Sequence, residues 1–209
     1  GGGGGGGGGR RGGGGGGGGG TRESATSIFD MPADVLTKIV IGMSMVLDRA
    51  RVELARSCDN GGDQNVPVLF DSEAMVAVFD SVKDLARDTV LEGDLVRSGA
   101  LGSVVSILLS VGNATSTVSD AALSLAAISS GLDALANLTT ASAHAAVAHE
   151  FGALPYVCKC LEDGLARAAA SAPSTITGSA VEKTPDDVVT QRLLEGAVSV
   201  VRNLSAAPH

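Results

Sequence analysis

Two stretches of this chain, 53 residues apart, repeat one pattern of glycine and apolar residues. Residues 97–109 read RSGALGSVVSILL and residues 150–162 read EFGALPYVCKCLE. Gly99 falls on Gly152, and Leu101, Val104, Val105 and Leu108 fall on Leu154, Val157, Cys158 and Leu161. A second set of segments repeats independently. Met75, Val78, Phe79, Val82 and Leu85 have the spacing i, i+3, i+4, i+7, i+10, as do Ile128, Gly131, Leu132, Leu135 and Leu138, and Leu194, Ala197, Val198, Val201 and Leu204. The first two of these sets are again 53 residues apart and the last two 66. Such spacing lays one apolar stripe along a helix. A helical unit recurring at a fixed period cannot bury its stripe alone and must stack on its neighbours.

The unit reads as a short helix, a glycine, a second helix, a loop and a long third helix. Each Gly-Ala-Leu follows a short helical stretch, residues 92–97 or 144–150, and glycine there permits a sharp turn with positive φ. The third helix of the middle unit gains turns from about Ser119. The last unit gains a loop over 166–183, rich in Ala, Ser and Thr and containing Pro173 and Gly178, which accounts for the longer second offset. Thr184 before Pro185, with Asp186 and Asp187 after it, is a helix start: cap, proline, then acids at the positive end of the dipole. Earlier in the chain, Asp30 and Pro32 open a helix over 35–54, with Val35, Ile39, Met43, Val46, Leu47 and Ala50 apolar. Residues 59–63, Asp-Asn-Gly-Gly-Asp, break it, Pro67 lies in the loop that follows, and Asp71-Ser72 caps the next helix.

Composition agrees with closely packed helices. The chain has no Trp, one Tyr and four Phe among 209 residues, which suits a β-sandwich badly. Eighteen of the first 20 residues are glycine and the other two are Arg10 and Arg11. Glycine has no side chain to bury and loses the most entropy on ordering, so residues 1–32 are expected to be a disordered tail and linker. Residues 33–209 then form the helical domain, as a diverged unit over 33–89 and units over 90–141 and 142–209.

These residues resemble the armadillo repeats of beta-catenin and importin-alpha. SGAL at 98–101 and FGAL at 151–154 match the glycine-alanine turn into that family's second helix. ALANLT at 134–139 and VVRNLS at 200–205 match the Asn-Leu stretch of its third helix. The resemblance covers residues 90–209, with a period longer than the family's usual length; HEAT repeats are the nearest competitor. It implies an all-α, right-handed solenoid whose third helices line a concave groove. It also implies that Asn137 and Asn203 hydrogen-bond the backbone of an extended peptide. An amide offers donor and acceptor together and so satisfies a peptide unit of any sequence. The competing role for both is to tie neighbouring helices. Three positions depart from the family: Asp84 stands where Asn137 would fall in the first unit, and Asp133 and Ser199 stand where import receptors carry tryptophan. Without indole walls the lysine stems of a basic signal have no stacking slot.

The formal charge is −8; the tail holds two arginines, so the remainder carries −10. This disfavours nucleic acid and favours a basic protein or peptide partner. The alternative functions are a purely architectural segment of a larger protein, or RNA binding through the Gly/Arg tail. Cys158 and Cys160 invite a metal reading, but residues two apart on a helix point away from each other, and Cys158, aligned with Val105, reads as a core thiol. His144, His149 and His209 have no evident catalytic partners, and no nucleophile or phosphate-binding motif is present. No catalytic, cofactor or metal site is therefore expected. The glycosylation patterns at Asn113, Asn137 and Asn203 read as coincidence. The longest apolar stretch, residues 39–47, is too short for a membrane span. An intracellular protein, cytoplasmic or nuclear, is expected, and the ends of the chain read as those of a fragment.

Overall fold

The computed structural model describes residues 31–59, 71–114, 121–171 and 184–206. The glycine tail, Asp30, the break after Asp59, Pro67, Ser119, Pro173, Gly178 and His209 lie outside them, as does the side chain of Cys58. The described chain is all-helical. Its helices are α1 (Ala33–Asp59), α2 (Ser72–Leu85), α3 (Thr89–Arg97), α4 (Ala100–Ala114), α5 (Ala121–Leu138), α6 (Ser142–Glu150), α7 (Ala153–Ser171) and α8 (Pro185–Ser205). Among the described residues no single helix is long and apolar enough to cross a membrane.

The helix boundaries follow local chemistry. Asp71 accepts from the Ala74 N–H and caps α2, and Asp88 accepts from Val90 and Leu91 and caps α3. At α8, Thr184 and Asp187 exchange hydrogen bonds in a full capping box with Pro185 in the first turn; such a cap stabilises by about 1 kcal/mol. Gly99 and Gly152 have φ of +90° and +80°, a region that costs other residues roughly 1–2 kcal/mol. At Gly99 the chain turns by 73° from α3 into α4. Two expected limits move. Helix α1 runs on to Asp59, with Val40, Leu47 and Ala50 buried and Val46 exposed. Helix α7 continues to Ser171, because residues 168–170 are alanines, the strongest helix formers, so the expected loop from 166 is helical over its first six residues.

Helix α5 lies between α2 and α8, its two principal neighbours, while α4 packs on α1 and α5 and α7 packs on α8. Equivalent positions meet in order along each pair. Asn137 of α5 reaches Lys83 of α2, and Asn203 of α8 reaches Ala136 of α5, so the three long helices run parallel. The pairs approach closely at glycines. A Cβ on Gly131 would stand 2.5 Å from a Leu108 methyl and 3.0 Å from the Phe79 ring, and one on Gly196 would stand 3.1 Å from the Leu132 Cβ. The core holds Phe79, Leu47, Met75, Leu95, Leu101 and Leu132 among its largest fully buried side chains.

One junction is polar. Glu92 of α3 is buried, yet its carboxylate accepts from the Thr140 hydroxyl, from the Ala141 N–H at 3.3 Å, and lies 2.8 Å from His144 Nδ1. Ala141 is the N-cap of α6 and has no side chain to cap with. Glu92 thus supplies, from the preceding helices, the acceptor and negative charge that the start of α6 lacks.

Candidate binding cleft

The two asparagines singled out by sequence occupy one register on adjacent long helices. Asn137 Nδ2 donates to the Lys83 carbonyl at 2.9 Å, and Asn203 Nδ2 donates to the Ala136 carbonyl at 2.9 Å. Lys83 and Ala136 are themselves 53 residues apart, so the same tie is made twice. Asn203 also lies 3.4 Å from the Thr139 hydroxyl. Each amide spends an N–H on the preceding helix. Each keeps a carbonyl oxygen with no protein partner among the described residues. Asp84, in the same position on α2, pairs instead with Arg87 at 3.2 Å. Asp84 carries no N–H to donate, and among the described residues α2 makes no counterpart of the tie that Asn137 and Asn203 make.

Both amides open on a cleft of about 240 Å³ at the C-terminal ends of the three long helices. Asp133 and Ser199, one turn before the asparagines, are on its wall, as are Ala136 and Thr140. Three cations complete it: Lys83, Arg87 and Arg202. Lys83 is held by Asp80 at 2.8 Å, Arg87 by Asp84, and Asp133 faces Arg192 at 3.4 Å. Arg202 is exposed and has no acidic partner among the described residues. The groups assembled here donate and accept hydrogen bonds and present charge.

Sequence reasoning missed the cations. Lys83 and Arg202 occupy equivalent positions, each directly before the asparagine position, with Ala136 between them in the series. The alignment that found the asparagines therefore also contained this signal. It was obscured because charges on a helix usually mark solvent, and only the stacking of α2, α5 and α8 shows that these share a face.

The cysteine expectation is reversed. Cys158 is exposed and Cys160 is buried. Helix α7 buries Ala153, Tyr156, Val157, Cys160 and Gly164 against its neighbours, so its inward face is turned relative to that of α4, and alignment with Val105 did not carry burial with it. Burial raises the Cys160 thiol pKa, and the nearby Asp163 adds to the rise while Tyr156 and Lys159 oppose it. Burial likewise drives the Tyr156 phenol far above its ordinary range. Its hydroxyl has no hydrogen-bond partner of normal geometry among the described residues. His144 belongs to the Glu92 junction and is not on the cleft wall.

No protein-family model matches the chain, and no curated protein and no solved structure matches it.

Proposed function

We propose that the chain is a protein-binding scaffold of the armadillo type, a partial right-handed solenoid that receives an extended segment of a partner along α2, α5 and α8. The observation that carries this reading is the repeated amide. Two asparagines in one register, each with a carbonyl oxygen that has no partner among the described residues, open on the same cleft. Packed helices stand about 10 Å apart and an extended chain advances about 3.3 Å per residue. Neighbouring amides would then meet backbone groups about three residues apart. The polar wall supports an extended backbone as occupant, because such a chain brings unpaired N–H and C=O groups that need partners.

A second reading has its own observation. Both amides already donate to the carbonyl of the preceding helix, which is what a purely architectural segment requires. The two readings separate by selection of a random peptide library on the full chain, followed by photo-crosslinking from a benzoyl-phenylalanine placed at Ser199 or, as a control, at the exposed Leu165. Binding along the cleft is expected to yield peptides that crosslink from position 199 and not from 165. Failure to select any peptide, or crosslinking from 165 alone, overturns the groove and leaves the architectural role.

A further inference from the structure

Resting on that groove reading, we infer that the cleft selects an acidic segment, a peptide whose carboxylates seat against Arg202, Arg87 and Lys83, although the chain as a whole is acidic. Net charge acts weakly here. At physiological ionic strength charges more than about 8 Å away are largely screened, so the groups on the cleft wall decide. Those groups are three cations and one carboxylate, Asp133. The carboxylates facing them are named by their pairs: Asp80 on Lys83, Asp84 on Arg87 and, for Asp133, Arg192. These three acids beside the cleft are each matched by a cation, whereas Arg202 has no acidic partner among the described residues. A lysine-rich segment would meet that charge unshielded.

The exposed Arg87–Asp84 pair strengthens the case. Its side chains are 65% and 61% exposed, and such surface pairs hold weakly. An incoming carboxylate can take the Arg87 guanidinium from Asp84 at little cost. It gains a planar, multidentate donor suited to carboxylate geometry. Arg202 and Asn203 are consecutive on α8, so a bound acid at the first is placed beside the amide oxygen of the second. The backbone N–H groups flanking that acidic residue can then donate to the amide.

The test uses the peptides selected from the random library on the full chain, compared by sequence and then by fluorescence polarisation. The expected result is enrichment of Asp and Glu. The labelled acidic peptide should then lose affinity at least about tenfold in Arg202→Gln, as for loss of a hydrogen bond to a charged group, retain most of it in Arg202→Lys, and weaken as salt rises. Circular dichroism should be unchanged, because Arg202 is exposed. Selection of basic or neutral peptides that crosslink from position 199 overturns the acidic preference and leaves the groove standing. Acidic peptides indifferent to Arg202→Gln also overturn it. Selection of no peptide at all overturns both.

Discussion

The helices α3–α5 and α6–α8 begin alike and end differently. Both sets turn at a positive-φ glycine into an Ala-Leu helix, and both end in a long helix whose asparagine ties it to the long helix before. Yet Leu132 is fully buried while Val198, its equivalent 66 residues on, is 57% exposed. Val105 is buried while Cys158, its equivalent, is exposed. The cause is neighbours. Helix α5 has a long helix on each side and α4 has α1 as well as α5, whereas α8 leans chiefly on α5 and α7, and α7 chiefly on α8. A repeat carries the pattern of a core, and burial comes only from what stacks on it.

The largest expected effects come from breaking that contrast directly. Leu132→Ala should cost about 2–5 kcal/mol in urea unfolding, the range for truncating a buried leucine, while Val198→Ala should change stability by less than about 0.5 kcal/mol. Comparable losses at both sites would show that the face of α8 is covered in solution. Next in size is the polar junction, which only the first of the two sets possesses, since the position equivalent to Glu92 is Ala145. Glu92→Ala strands the Thr140 hydroxyl and the Ala141 N–H and should cost about 2 kcal/mol. The loss should appear in hydrogen exchange as faster exchange in α6; unchanged protection there would remove Glu92 from its capping role.

The two sets should then behave identically where their geometry is identical. Gly99→Ala and Gly152→Ala should each cost roughly 1–2 kcal/mol, and a difference larger than that between them would mean the turns are not equivalent. Asn137→Ala and Asn203→Ala should each cost about 1 kcal/mol, and the pair should add, because their acceptors are separate. The smallest effect is chemical. In a Cys58→Ser background at neutral pH, iodoacetamide should alkylate Cys158 well before Cys160. A raised pKa leaves less thiolate at a given pH, and burial further slows access. Faster labelling of Cys160 would reverse the assigned inner face of α7.

Much of the architecture was legible because it is written in short-range chemistry. The caps at Asp71 and Thr184, the glycine turns and the apolar stripes of α2 and α5 all depend on residues within a few positions of one another. The candidate site was half legible. Alignment found Asn137 and Asn203, but not that each spends a donor on the preceding helix, nor that Lys83, Arg87 and Arg202 gather beside them. Those facts need residues more than 50 positions apart, for which a single sequence offers no distance.

By itself the sequence determined that helices form, where several of them begin and turn, and which positions correspond from one set to the next. These follow from backbone sterics, capping and the 3.6-residue period. Tertiary structure alone decided which equivalent residues are buried, that Glu92 caps α6, and that an acidic chain gathers cations around its two amides. Burial and electrostatic environment belong to surfaces brought together by packing, and local pattern leaves the choice of neighbour open.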